Sequence, residues 1–178
     1  LMGDEEYNAQ EPANAKLFFA EIVTALAVQE VGGAFILKIY DIYSTIGLQL
    51  LAILRAHYGK VSVIKPLTSR PANSEKYLLC EDFLGITAEK FKELKENLTK
   101  WDGSQTRKEY LKNDLFLVNL TNYELSEDSV LCQDLKEFNE LVNTQQKPMV
   151  ELGLELIAQK KLNDEDLIKD FKLRQRKY

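Results

Sequence analysis

A chain of 178 residues that is 45% hydrophobic and 29% charged suits one domain or one and a half. It can bury a core, which excludes compositional disorder. Its 23 basic residues stand against 28 acidic ones, a formal net charge of −5. That balance excludes a protein coated in basic charge for indiscriminate nucleic-acid binding and leaves room for a local basic site.

Cys80 and Cys132 lie 52 positions apart and His57 is the lone histidine. This spacing gives no disulfide framework and no metal site, so a reducing intracellular compartment, cytoplasmic or nuclear, is expected. No apolar run approaches the roughly 20 residues needed to cross a bilayer. The opening residues LMGDEE have neither the basic nor the apolar region of a signal peptide. They read instead as an apolar stub followed at once by acids.

In chain order, Pro12 to Glu30 reads as a helix. Pro12 suits its first turn, and Phe18, Ile22, Ala25, Leu26 and Gln29 approximate a stripe widened by Leu17, Phe19 and Val23. Gly32 and Gly33 are expected to end it in a left-handed C-terminal conformation. Ala34 to Tyr40 (AFILKIY) is a nearly continuous apolar strand, as a strand covered on both faces reads, interrupted by Lys38. Ser44 caps a helix to about Tyr58. Lys60 to Lys65 (KVSVIK) is a second strand, Pro66 to Ser74 a loop with two prolines, and Glu75 to Glu81 (EKYLLCE) a third strand. The intervening loop of about nine residues is too short for a parallel crossover, so the last two strands pair antiparallel.

This order matches the second half of a doubly wound sheet with an antiparallel strand near its edge. Leu1, Met2 and Gly3 would be the last stub of the preceding strand. The first half of such a sheet, with its glycine-rich strand-to-helix turn, is expected upstream of residue 1. Gly32 and Gly33 are no substitute, because they join a helix to a strand. Beyond Leu84 the pattern turns helical. Thr87 to Lys100 is amphipathic, with Phe91, Leu94 and Leu98 on one side. Trp101 to Arg107 is turn-like, and LFLVNL within Tyr110 to Tyr123 reads as either strand or helix. Ser129–Asn143, Pro148–Lys160 and Asn163–Arg174 are further helices. Residues 1–83 thus form one unit, and 84–178 a helical appendage packed on it.

Open α/β sheets carry their sites at the carboxyl ends of parallel strands. Asp4 follows the first stub, Lys38 lies near the carboxyl end of the second strand, and Glu75 opens a strand running the other way. All three therefore converge on one rim. A lysine inside an apolar strand loses hydration, which lowers its pKa and suits it to act as a base, while nearby carboxylates push the pKa back up. The alternative is a strand-end lysine that snorkels to solvent.

The segment Lys65 to Cys80, KPLTSRPANSEKYLLC, resembles the closing motif of the FtsJ-like ribose 2′-O-methyltransferases, most closely the branch that methylates the first transcribed nucleotide of capped mRNA. NAQE (Asn8–Glu11) before a long helix and GGAFILKIYD (Gly32–Asp41) look like the same branch. The likeness covers residues 1–83, the carboxyl-terminal part of such an enzyme.

The resemblance implies a Lys-Asp-Lys-Glu tetrad in which Asp4 is the aspartate, Lys38 the second lysine and general base toward the ribose 2′-hydroxyl, and Glu75 the glutamate. It implies S-adenosylmethionine as methyl donor and capped RNA as substrate. The first tetrad lysine and the main cofactor loop are expected upstream of residue 1, supplied by an N-terminal half of the same enzyme or by a partner chain. The short stretch between Asp4 and Asn8, with the cap-branch signature downstream, would fit a large DNA virus that caps its own transcripts. The other readings are an RNA-binding or scaffold subunit that kept half of the fold, and a methyltransferase acting on ribosomal or transfer RNA.

Ser69, Arg70, Asn73 and Ser74 lie in the rim loop as substrate-binding or supporting residues. Arg70 either meets an RNA phosphate or supports Glu75. Lys60, Lys65 and Lys76 make the hairpin either locally basic for RNA or merely solvated. Tyr40 and Tyr43 either stack on a base or pack on the next helix. His57 reads as a helix-end or surface residue, and the basic tail from Lys169 as either an RNA contact or a frayed helix end.

Overall fold

A computed structural model describes residues 10–40, 42, 44–70, 73–101, 130–158, 169 and 173. The expectations for Asp4, the 1–3 stub, Asp41 and Tyr43, the 102–107 turn and the LFLVNL stretch lie outside the described residues. So does the 163–174 helix, apart from 169 and 173.

The elements are α1 (Gln10–Val28), β1 (Phe35–Ile39), α2 (Thr45–His57), β2 (Tyr58–Ile64), β3 (Lys76–Phe83), α3 (Ala88–Lys100) and α4 (Val130–Ala158). The three strands form one sheet in the order β1-β3-β2. β3 is antiparallel to both neighbours, with Leu37 opposite Leu78 and Val63 opposite Leu78 from the other side. The β2–β3 hairpin is as the short loop required. β3 is also slotted between β1 and β2, so those two run parallel without touching.

β1 differs from the expected two-sided strand. Leu37 and Ile39 are buried, whereas Ile36 and Lys38 are exposed. The helical layer covers one sheet face only among the described residues, so the pleat divides the strand into an inner and an outer row. The inner row joins one core. Phe19, Ile22 and Leu26 of α1 pack with Leu50, Leu51, Ile53 and Leu54 of α2, and with Leu78, Cys80 and Phe83 of β3. Each fully buried side chain of this kind contributes about 1.5–3 kcal/mol. The core continues past residue 84. Leu94 of α3, Trp101 and Leu135 of α4 belong to it, and the Trp101 ring lies 6.1 Å from that of Phe19. Cys80 is a free, buried thiol, and burial pushes its pKa up to about 12.

Local chemistry sets the joints. α1 ends at Val28, and the left-handed glycine, Gly32 (φ 83°), stands in a following turn rather than at the helix terminus. This turn is tied to the end of β3 by Gly32 N–H donating to the Phe83 carbonyl (2.7 Å) and Phe83 N–H to the Gly33 carbonyl (3.0 Å). α2 starts at an N-cap, Ser44, whose hydroxyl accepts from Gly47 N–H. Its end runs straight into β2, two residues before the expected start. His57 is buried there with Nδ1 3.1 Å from the Gly85 carbonyl, so it is not a surface residue. Burial lowers its pKa below the ordinary value. Thr87 caps α3, with its side chain accepting from Lys90 N–H.

α4 is continuous where two helices were expected. Pro148 lies inside it. A proline removes one intrahelical hydrogen bond and crowds the preceding turn, yet the helix continues through it, with Val142 and Met149 buried on either side.

Candidate active site

Because β3 runs against β1, the last residues of β1 and the first of β3 share one end of the sheet, with Ile39 opposite Lys76 and Lys38 opposite Tyr77. Lys38, Glu75 and Tyr77 meet on the outer face. Lys38 Nζ lies 3.2 Å from Glu75 Oε2. The Tyr77 hydroxyl donates to Glu75 Oε1 (2.5 Å). Asn73 donates from Nδ2 to Glu75 Oε2 (3.4 Å) and accepts from the Glu75 N–H through Oδ1 (3.1 Å). The Lys38 ammonium also sits 5.9 Å from the centre of the half-buried Tyr40 ring, within cation–π range.

The electrostatics follow from these contacts. Hydrogen bonds from Tyr77 first, then Lys38, hold the Glu75 carboxyl below its ordinary range. Glu75 in turn holds the Tyr77 hydroxyl up and holds the Lys38 ammonium above the ordinary lysine value. Of the two opposing effects expected at this lysine, loss of hydration and a nearby carboxylate, the carboxylate prevails. The Lys38 side chain is 50% exposed, and the hydrogen bond to Glu75 outweighs its desolvation.

The rim loop is organised from below by Lys65. Its ammonium donates to Ser69 Oγ (3.3 Å), to the Glu75 carbonyl (3.1 Å) and to the Asn73 carbonyl. It therefore points into the loop. Lys76 is buried, and Lys60 pairs with Glu81 at 3.1 Å. The three lysines do not form the free basic face considered for the hairpin. Arg70 is exposed and is not a partner of Glu75, and Ser74 is half-buried between Asn73 and Glu75.

Of the sequence-predicted site residues, Lys38, Glu75 and Asn73 are brought together, Ser69 is reached through Lys65, and Asp4 lies outside the described residues. Tyr77 was missed. Continuing the strand alternation from Glu75 puts Tyr77 on the Lys38 face, a signal that was available.

Two donors arrive from α4. Gln146 Nε2 donates to the Asn73 carbonyl (2.7 Å) and Asn139 Nδ2 to the Ile42 carbonyl (3.2 Å). Neither was foreseen. Among the described residues no cluster of His, Cys, Asp and Glu is arranged to hold a metal ion, and no helix is long and apolar enough to cross a membrane.

At this end of the sheet, lysine, glutamate and tyrosine thus form one hydrogen-bonded cluster of ionisable groups. Residues 4–83 match the FtsJ-like methyltransferase family model, and this part of the chain belongs to that family. Among curated relatives, the cap-specific mRNA (nucleoside-2'-O-)-methyltransferase 1 of Trypanosoma cruzi is 32% identical over 139 residues, 78% of this chain and 36% of the relative. The Danio rerio protein of the same name is 39% identical over 74 residues, 42% of this chain and 9% of the relative. An inactive cap-specific mRNA (nucleoside-2'-O-)-methyltransferase 1B of Caenorhabditis briggsae is 32% identical over 93 residues, 52% of this chain and 11% of the relative. The chain thus spans at most 36% of the length of these relatives.

Proposed function

We propose that this chain carries the base-bearing part of an RNA ribose 2′-O-methyltransferase acting on the first transcribed nucleotide of capped mRNA. The observation that carries the reading is the Lys38–Glu75 pair, 3.2 Å apart within the family-matched stretch. Lys38 Nζ, once neutral, accepts the proton of the ribose 2′-hydroxyl. Glu75, fixed by Tyr77 and Asn73, sets the direction in which the lysine points and keeps it charged between turnovers. Asp4 would join this rim as the second acid. Ser69, Arg70, Asn73 and Ser74 border it. Asn73 supports Glu75, and the exposed Arg70 guanidinium is free to reach an RNA phosphate.

S-adenosylmethionine, when bound, supplies an electrophilic methyl group. The described residues do not fit it, because they contain no glycine-rich strand-to-helix turn. The Gly32 turn runs from helix to strand and is tied to Phe83. The cofactor site is therefore proposed to come from a further segment of the same polypeptide or from a partner chain. That segment would pair with the outer edge of β1, which bonds to no strand among the described residues. Residues 1–83 would then complete a doubly wound sheet, with residues 84–178 packed on it as a helical extension. The exposed Val28 and Ile36 beside that edge would be covered. Such an enzyme would work inside the cell, where capped transcripts are made and used.

The test is methyl transfer from labelled S-adenosylmethionine to capped RNA with an unmethylated first nucleotide, using the longest natural polypeptide that carries this sequence. Transfer to the 2′-oxygen is expected, and Lys38→Ala should reduce it by about 100-fold or more. Equal transfer to uncapped RNA would point to a ribosomal or transfer RNA substrate instead. The inactive relative favours a second reading, a non-catalytic RNA-binding or scaffold subunit. Absence of both cofactor binding and transfer in the longest form would sink the first reading and leave the second.

A further inference from the structure

α4 presents a stripe at spacings of four and three, made of Leu135, Asn139, Val142, Gln146 and Met149. Four of these are buried and Gln146 is half-buried. This is the face a helix uses to pack on a body. Two of its five positions are polar, and a buried amide is costly unless it is hydrogen-bonded. Each polar position meets a backbone carbonyl of the candidate site's own loops. Asn139 donates to Ile42, just past β1, and Gln146 donates to Asn73, just before β3. The two carbonyls belong to the two chain segments that carry Lys38 and Glu75. Apolar residues at these positions would leave both carbonyls without these donors.

We propose that α4 is a brace for the site and that Gln146 is a positioning residue for the Lys38–Glu75 pair. Its hydrogen bond fixes the Asn73 backbone, and the Asn73 side chain, bonded to both the N–H and the carboxylate of Glu75, fixes the glutamate. Lys65 also donates to the Asn73 carbonyl, so this carbonyl is a point where the hairpin and α4 are joined. The role in catalysis rests on the function proposed above. The role in holding Glu75 against Lys38 does not.

The experiment follows the side-chain nitrogen signal of Lys38 by NMR through a pH titration of the full chain. Among the described residues, Glu75 is the carboxylate that faces this ammonium, with Tyr40 and Tyr77 beside it. In Gln146→Ala the Lys38 midpoint should fall toward the ordinary lysine value, because a loosened Glu75 no longer holds the proton. Gln146→Met keeps the volume, the helix preference and the neutral charge but removes the donor, and should act in the same direction. In a Glu75→Gln background, Gln146→Ala should move nothing further.

A Lys38 midpoint unchanged in both folded single variants would overturn the proposal. So would an equal shift in the Glu75→Gln background. If Gln146→Ala does not fold, Gln146→Met, which changes neither volume nor charge, still decides it. Because the midpoint is read without methyl transfer, an inactive wild type would defeat the enzymatic reading and leave this test intact.

Discussion

Glu75 is held by three side chains, and the chemistry of Lys38 depends on how firmly they hold it. The glutamate's contribution to stability is present above the ordinary carboxylate pKa and is lost as pH falls through its lowered folded value. The lysine's contribution is present below the ordinary lysine pKa and is lost as pH rises through its raised folded value. The pair is therefore intact across neutral pH, and Lys38 rests as an ammonium. With Lys38 as the proposed base, methyl transfer should rise with pH into the alkaline range as the amine is freed. Glu75→Gln should move that rising limb to lower pH while lowering the plateau, and a pH–rate profile of the two proteins checks both effects. Tyr77→Phe removes the first of the groups that depress the Glu75 carboxyl. It should cost about tenfold in turnover with little change in substrate affinity, the signature of lost positioning rather than lost binding.

The joints between elements carry their own predictions. The Glu11 carboxylate accepts from the N–H of Ser44 (3.0 Å) and from its hydroxyl (2.8 Å), and so ties the start of α1 to the start of α2. Gly47 lets them meet. A Cβ there would fall 2.0 Å from Glu11 Oε1 and 2.8 Å from Ile42 Cγ2. Gly47→Ala should destabilise the chain by about 1–3 kcal/mol through overpacking, measured by urea unfolding. At the other end of α2, His57 folds in its neutral form. Its folded pKa lies below the ordinary 6.5, so the unfolded chain binds more protons between those two values. Stability should be full above about pH 6.5 and decline as pH falls through the lowered folded value. Thermal midpoints across this range should show that slope in the wild type and a flatter one in His57→Gln.

At the scale of the molecule, α3 and part of α4 share one core with the sheet. Leu94 is fully buried and Trp101 packs on Phe19. Leu94→Ala should cost about 2–5 kcal/mol. Trp101 fluorescence and far-ultraviolet circular dichroism should shift together in one transition. Separate transitions would mean that residues beyond 84 unfold on their own.

Most element positions were legible in the residues themselves. Helix and strand periodicities, the Ser44 cap and the short 66–74 loop are local features, and local features survive folding. The approach of Lys38 to Glu75 was legible as well, because strand direction alone carries both to one rim. Contacts between distant segments decided the rest. Nothing local announced that β1 is covered on one face, that His57 is buried, or that α4 continues through Pro148. The sign of the Lys38 shift is a balance between exposure and a carboxylate 3.2 Å away, and neither quantity exists before the chain is packed. The amides of Asn139 and Gln146 stood in the sequence as polar breaks in an apolar stripe. Only the tertiary structure decided which carbonyls they meet, because a helix periodicity shows which residues face inward and does not show what they face.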